Sequence, residues 1–169
     1  MSDAPLLEFM HYNNWANQQV LAACQSLSED QLAAAAPGAY GTIRATLQHI
    51  LRAESRYAFR FTGTYLEPPF KWDDPPSLDA LAAYHAQVSA ALLEIAARLS
   101  PDYLVTAEWD GKPVRFQAMA LFIQVINHGI EHRTNITTIL SGLGLPAPDV
   151  AGWEYLFTHQ DRFGFGDAV

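Results

Sequence analysis

The sequence FQAMALFIQVINHGIEHRTNITTILSGL, residues 116–143, decides the fold of this chain. At about 100° per residue, its apolar side chains cover one wide arc of a helix and its polar side chains cover another. We therefore predict a long amphipathic helix that buries its apolar arc against other helices. The apolar arc consists of Met119, Phe122, Ile123, Val125, Ile126, Ile130, Ile136 and Leu140, and the polar arc of Gln124, Asn127, Glu131, Asn135 and Thr138.

Two histidines, His128 and His132, lie four residues apart at one boundary between these arcs. Residues at this spacing project from one face of a helix, one turn apart, so a single metal ion can bind both imidazoles. The spacing by itself is a weak signal, because such pairs also occur as solvated surface residues or as hydrogen-bonded core histidines. The pair is a candidate for metal binding at the rim of a helix bundle, where water also reaches the ion.

The composition predicts one soluble domain that spans residues 1–169. A chain of 169 residues, of which 50% are hydrophobic, is long enough to bury a core. A formal net charge of -8 with only 10 Lys and Arg residues argues against binding to nucleic acid or to anionic membranes. The N-terminus lacks the pattern of a secretion signal, and no run of 18 apolar residues occurs, so we predict a cytoplasmic protein.

Capping residues and apolar stripes predict three further long helices, over about residues 5–27, 42–62 and 77–99. Asp3 and Ser77 are candidate caps, and Ser28 begins a short helical turn between the first two helices. Four prolines make residues 65–76 a loop, whose aromatic side chains, including Trp72, are expected to pack against helix ends, with covering a pocket as the alternative. A short aromatic helix is expected near residues 149–161, packed either on the bundle or on another subunit. Residues 105–116 contain Asp110-Gly111, a dipeptide suited to a type I′ turn, which predicts a β-hairpin before the last long helix.

Several polar side chains fall within the predicted core stripes and therefore need partners. Asn13 and Asn17 lie in the first stripe, beside Phe9, where they either tie helices together or face a polar cavity. Glu54 in the second helix needs an arginine or a histidine. His85 in the third helix is either a satisfied core residue or a hydrogen-bond partner and proton carrier beside a metal ligand.

His49 lies opposite the apolar stripe of the second helix. Amphipathicity alone predicts that it is exposed. The side chains beside it are small, which favours another interpretation, in which an ion, a water and a substrate have room next to the imidazole. These neighbours are Thr42, Ala45, Thr46 and Ala53.

Four segments resemble a known family: YNNWAN at 12–17, TIRATLQHILRAESRY at 42–57, NHGIEHRTNITTIL at 127–140 and GLPAPD at 144–149. The chain is similar to the DinB-like family of damage-inducible, metal-dependent proteins. This resemblance implies an all-α four-helix bundle, and it also points to a homodimer. It further implies a metal site formed by one histidine of the second helix and two of the last long helix, which match His49, His128 and His132.

Three neutral imidazoles leave at least one metal position open for water or substrate, as in catalytic sites. Imidazole ligands alone do not choose among zinc, nickel, iron and manganese. We predict zinc or nickel, with iron or manganese as alternatives. The resemblance implies transfer of a low-molecular-weight thiol onto an electrophilic small-molecule substrate, thiol-dependent isomerisation, or metal-assisted hydrolysis. The thiol must come from outside, because Cys24 is the only cysteine and is predicted to be buried. The alternative is a non-catalytic stress-response protein whose metal pins two helices together.

A general base is not defined by the sequence. The weak catalytic candidates are Glu54, His85 and Glu131, and each has an ordinary structural explanation. Three arginines are candidates for binding an anionic group of a substrate or cofactor, although exposed helical arginines are usually solvated or paired with a nearby acid. These arginines are Arg52, Arg56 and Arg133.

Overall fold

Four long helices and one hairpin make up the described part of the chain, which comprises residues 4–98, 100 and 102–164 of a computed structural model. The prediction of an all-α bundle with a hairpin before the last long helix is confirmed. In chain order the elements are α1 Ala4–Cys24, α2 Glu29–Leu32, α3 Ile43–Thr62, α4 Leu78–Arg98, β1 Leu104–Trp109, β2 Lys112–Gln117, α5 Ala118–Gly142 and α6 Gly152–Thr158, followed by a 3₁₀ turn, Gln160–Phe163.

The packing order of the bundle brings the two predicted histidine-bearing helices together. Helix α1 packs against α4 and α5, and α3 packs against the same two helices, so α3 and α5 are neighbours. The core enclosed by the four long helices is apolar. Its fully buried members include Met10, Ile43, Tyr84, Phe122 and Ile136.

Local signals set most helix boundaries, as predicted. The hydroxyl oxygens of Ser28, Thr42 and Ser77 each accept a backbone N–H of the turn that follows. Gly63 ends α3 with φ 68°, a left-handed conformation that costs glycine little. The end of α1 differs from the prediction, because the helix stops at Cys24 and residues up to Leu27 form tight turns instead.

The hairpin closes through Asp110 and Gly111, whose φ angles of 51° and 74° are those of the predicted type I′ turn. Its strands pair antiparallel, with Val105 opposite Phe116. The N–H of Ala118 donates to the carbonyl of Tyr103 at 2.7 Å, so the hairpin leads directly into α5 and anchors its first residue.

Three apolar side chains that the helical patterns place in the core are on the surface, which corrects the prediction. Phe9 is 57% exposed, Ile123 62% and Ile130 45%. Each long helix packs chiefly against two of the other long helices, so the buried sector of α1 and of α5 is narrower than its apolar arc. We refer to Phe9, Met119, Ile123, Ile126 and Ile130 as the α1/α5 face.

Helix α4 is the one described helix that is long and apolar enough to cross a membrane by length and composition. It packs between α1 and α3 and buries His85 and Ser89, as a core helix of a bundle does. A cytoplasmic location stays a prediction. The predicted Asp3 cap, the seam position at Leu99 and the chain end from residue 165 lie outside the described residues.

Candidate metal centre

The imidazoles of His49, His128 and His132 meet at the junction of α3 and α5. Nε2 of His49 and Nε2 of His128 are 2.9 Å apart. The ring centroid of His132 lies 4.5 Å from that of His49 and 4.3 Å from that of His128. One nitrogen from each ring lies within 4.8 Å of the other two, so the three donors converge on one point.

Helix spacing and the packing of α3 against α5 together explain this convergence. His128 and His132 are one turn apart on α5, as their spacing predicts, and both are buried. His49 lies two turns into α3 on the side that faces α5, and it is half-buried rather than exposed. Of the two interpretations of His49, the structure supports the one in which its imidazole lines a site.

The local environment keeps the three imidazoles neutral. Burial, together with smaller contributions from the rings of His132 and His49 and from the charge of Arg133, lowers the pKa of His128 to about 4. Burial is also the main cause that lowers the pKa of His49 and of His132. Neutral imidazoles offer lone pairs at pH 7, so metal binding would not have to displace protons.

The donor set fits a divalent ion of the zinc type. Two nitrogens bound to one zinc at about 2.0–2.1 Å in tetrahedral geometry lie about 3.3 Å apart, close to the spacing of His49 and His128. Nδ1 of His128 and Nδ1 of His132 are buried without a hydrogen-bond partner in the described chain. Buried polar atoms without partners are uncommon, and two of the six in the described chain belong to these imidazoles. Nε2 of His128, which faces His49, is the atom placed to bind an ion.

A cleft of about 160 Å³ opens beside His49 on the solvent side. Tyr40 stacks on the His49 ring, with centroids 4.0 Å apart and planes inclined by 25°, and it touches His132 edge-on. The backbone N–H of Tyr40 donates to Asn135 of α5 at 2.6 Å, which holds the loop before α3 against the site. The cleft is lined by Tyr40, Ala45, Gln48, His49, Arg52 and Trp72.

A buried polar cluster lies on the opposite side of α5 from this cleft. Asn13 and Asn17 each donate to Oε1 of Glu54, at 2.8 and 2.9 Å. Their side-chain oxygens accept from Nη1 of Arg133, at 2.8 and 2.7 Å. The asparagines thus tie α1 to α3 and α5, and Glu54 meets an arginine through them rather than directly.

The three weak catalytic candidates occupy different places. Glu54 and His85 are 0% and 2% exposed, and no hydrogen bond joins either to an imidazole of the triad within the described chain. Glu131 is exposed, and its carboxylate partly offsets the lowering of the pKa of His49 and of His132. Glu131 is therefore the candidate acid within electrostatic reach of the triad.

Two aromatic neighbours of the triad were missed or undervalued by sequence reasoning. Tyr40 follows Pro37 and Gly38 in a loop without periodicity, and nothing in that loop predicts stacking on His49. Trp72 was expected to pack against helix ends, and it does contact Tyr84, but it also lines the cleft. Arg133, expected among exposed arginines, is 1% exposed and belongs to the buried cluster.

Comparison with known proteins assigns the family. The model of the DinB family matches residues 1–162. The chain belongs to the DinB family. A DinB-like protein from Bacillus cereus ATCC 10987, known from a crystal structure, is similar over 86% of this chain and 95% of that one, with 22% identity and a TM-score of 0.66. Among curated proteins, no match was found.

The similarity to the Bacillus cereus protein supports the fold alone. Family membership and three histidines within ligand distance of one another are compatible with a protein that binds a divalent metal. The thiol of Cys24 is buried, and burial raises its pKa to about 12, so this DinB-family chain supplies no nucleophilic thiol of its own.

Proposed function

We propose that the protein binds one divalent metal ion through His49, His128 and His132, and that the bound ion serves a catalytic site. The observation that carries this proposal is the convergence of three neutral imidazole nitrogens at the edge of an open cleft. Zinc and nickel suit three imidazoles best, and iron or manganese are the alternatives. An ion with an open position lowers the pKa of a bound thiol or water and polarises a substrate oxygen.

The reaction that we propose is transfer of a low-molecular-weight thiol onto an electrophile, or a thiol-dependent isomerisation. In the transfer, the thiol loses its proton to solvent and its sulfur bonds to the electrophilic carbon, whose leaving group departs with the electron pair. The cleft beside His49 admits small molecules from solvent, and Tyr40 and Trp72 supply apolar walls. Because Cys24 is buried, the thiol enters as a cosubstrate.

Two alternatives share the same ligands. In a metal-dependent hydrolase, water takes the place of the thiol as nucleophile. In a non-catalytic stress-response protein, the ion only pins α3 to α5. A purely structural site is normally closed by a fourth protein ligand, and among the described residues His49, His128 and His132 form the whole cluster. An open site favours the catalytic proposal over the structural one.

The test begins with metal content, measured by mass spectrometry on untagged protein. Alanine in place of any of the three histidines should lower the affinity for zinc and nickel more than about 100-fold, because losing a ligand costs more than losing its supporting partner. Circular dichroism should show the fold intact. His11→Ala, which removes a half-buried histidine of α1, is the matched control and should keep the metal.

The same samples are then assayed with 1-chloro-2,4-dinitrobenzene and 2-mercaptoethanol, and separately with p-nitrophenyl acetate. Conjugation, with release of chloride, that is lost in His49→Ala supports thiol transfer, whereas ester cleavage with the same dependence supports the hydrolase. Full metal content without either activity supports the structural alternative. Metal that persists in all three single variants would refute the site.

We also propose that the protein is a homodimer whose subunits meet through the α1/α5 face. A groove of about 280 Å³ runs along this face, and its lining in the described chain contains no charged side chain. Two copies that each carry a net charge of -8 repel one another unless they meet at an uncharged surface. The adjoining Glu8 is neutralised by Arg162, whose Nη2 lies 2.7 Å from its carboxylate.

A further inference from the structure

We propose that Arg52 forms an anion-binding subsite beside the metal centre, which selects small substrates that carry a carboxylate. This inference rests on the proposed function and adds to it the chemical class of the ligand. It concerns the cleft lined by His49, Gln48, Arg52, Tyr40 and Trp72.

The position of Arg52 follows from the helix. It lies three residues after His49 on α3, so both side chains project from the same face, about one turn apart. The positive charge of Arg52 contributes to lowering the pKa of His49, as expected of a close neighbour. A ligand that reaches the imidazoles through the cleft therefore passes the guanidinium.

Trp72 holds the guanidinium in place. Cζ of Arg52 lies 5.5 Å from the centroid of the Trp72 ring, a cation–π contact. Nε1 of Trp72 in turn donates to the hydroxyl of Tyr65 at 3.4 Å, which orients the indole. This contact uses the face of the guanidinium and leaves its in-plane N–H groups free for a ligand.

No acid of the described chain neutralises Arg52. Arg44, Arg98 and Arg162 each pair with a glutamate, and Arg133 is bonded within the buried cluster. The guanidinium of Arg52 makes neither a hydrogen bond nor an ion pair with any described residue. An unpaired cation, fixed on an aromatic ring at the mouth of a metal site in an acidic protein, is suited to an anionic ligand.

The size and lining of the cleft restrict the ligand further. Its volume of about 160 Å³ is below the roughly 300–1,000 Å³ typical of sites for drug-sized molecules. Tyr40 and Trp72 provide apolar contacts for a short carbon chain or a small ring. One guanidinium matches one carboxylate in charge and in bidentate geometry, so the ligand is a small organic acid whose other end reaches the triad.

The test uses three thiols that differ only at the end remote from sulfur: 3-mercaptopropionate, 2-mercaptoethanol and cysteamine. They are titrated into protein loaded with cobalt(II), and binding is followed by the thiolate-to-cobalt charge-transfer absorption. The carboxylate thiol should bind about five- to tenfold more tightly than 2-mercaptoethanol, and cysteamine should bind most weakly. Arg52→Gln should abolish this preference, so that the ratio of the affinities for 3-mercaptopropionate and 2-mercaptoethanol falls to about one.

Arg56→Gln is the matched control, since it removes the same charge from an exposed position one turn further along α3, and the preference should persist in it. Equal preference in Arg52→Gln and in the unaltered protein would overturn the subsite. If cobalt does not bind, or if no thiol changes the cobalt absorption, the result contradicts the proposed function and not the anion-binding subsite.

A second measurement keeps the subsite testable without metal. Propionate titrated into metal-free protein should shift the NMR signals of Arg52 Nε–H and of the Trp72 indole N–H. The indole shift should disappear in Arg52→Gln. Signals that do not move on titration would overturn the subsite, whatever the metal does.

Discussion

Arg133 and His132 are neighbours in sequence, but their side chains lie in different surroundings. A helix turns about 100° per residue, so His132 reaches the histidine triad while Arg133 reaches the core between α5 and α1. There the guanidinium balances the buried carboxylate of Glu54. Burial raises the pKa of Glu54 and lowers the pKa of Arg133. The positive charge of Arg133 lowers the pKa of Glu54, and the negative charge of Glu54 raises the pKa of Arg133, so each charge opposes the effect of burial on its partner.

Breaking this buried pair should destabilise the bundle strongly. We expect Arg133→Met to lower the free energy of unfolding by roughly 3–5 kcal/mol, because Glu54 is then left buried without a counter-charge. Urea denaturation of the metal-free protein measures the effect. The double variant Arg133→Met/Glu54→Gln should recover part of the loss, and Arg56→Met, an exposed control, should change stability by less than about 0.5 kcal/mol. A double variant less stable than Arg133→Met would contradict the pairing.

His85 should make the stability of the protein depend on pH. Burial, with a smaller contribution from the charge of Arg133, lowers its pKa from 6.5 to about 4, so the unfolded chain binds its proton more readily than the folded chain. Stability is then fully present above about pH 6.5 and falls as the pH drops towards 4. Both proteins are compared without metal. When the pH falls from 7 to 5, the free energy of unfolding should decrease by on the order of 2 kcal/mol less in His85→Leu than in the unaltered protein.

Urea denaturation at the two pH values measures this difference between the proteins. The comparison cancels the titration of the other histidines, which both proteins share. Parallel declines in the two proteins would show that His85 keeps an ordinary pKa in the folded state.

Helix α5 joins the two polar regions of the molecule. One face carries His128 and His132 to the triad with His49, and the adjacent face brings Gly129 and Arg133 against α1. A Cβ on Gly129 would lie 2.5 Å from Nη1 of Arg133 and 2.6 Å from Oδ1 of Asn13. Glycine at this position thus allows the hydrogen bond between Arg133 and Asn13 to pass close to the helix backbone.

Gly129→Ala should therefore destabilise the protein, despite the higher helix propensity of alanine. We expect a loss of about 1–3 kcal/mol in urea or thermal unfolding, since the cluster must shift to accept the methyl group. Gly142→Ala, at the exposed end of the same helix, meets nothing within 4 Å and should be neutral or stabilising by up to about 1 kcal/mol. Equal effects of the two substitutions would exclude a packing role for Gly129.

At the scale of the whole molecule, the α1/α5 face continues onto helix α6, since Phe9, Ile130 and Tyr155 line one groove. Tyr155 of α6 packs on Tyr12 and Trp15 of α1, while Trp153 is 72% exposed. The aromatic C-terminal segment thus packs on the bundle through Tyr155, as one of the two predicted arrangements requires. Its location beside the α1/α5 face extends the surface through which we expect a second copy to bind.

The proposed dimer can be tested through this surface. Sedimentation equilibrium at micromolar concentration should give a dimer, and Ile123→Asp should give a folded monomer, because the carboxylate would be buried at the subunit contact. Trp109→Asp is the control, since it places the same charge on an equally exposed side chain at the hairpin, away from the α1/α5 face. A monomer in the unaltered protein, or a dimer in Ile123→Asp, would refute this interface.

The sequence by itself determined the elements of this protein. Helix starts at Thr42 and Ser77, the stop at Gly63 and the turn at Asp110-Gly111 depend on residues within a few positions, and all were predicted. The spacing of His128 and His132 likewise presents both on one face of α5. The family resemblance added His49, whose position relative to the pair no local pattern defines.

Only the tertiary structure decided which faces are covered and which polar groups meet. Asn13 and Arg133 are 120 residues apart, so their hydrogen bond depends on the packing of α1 against α5. The same packing leaves Ile123 exposed, although its helical position is apolar. Tyr40 and Trp72 reach the cleft from loops without periodicity, and their contacts with His49 and Arg52 form only when the bundle assembles.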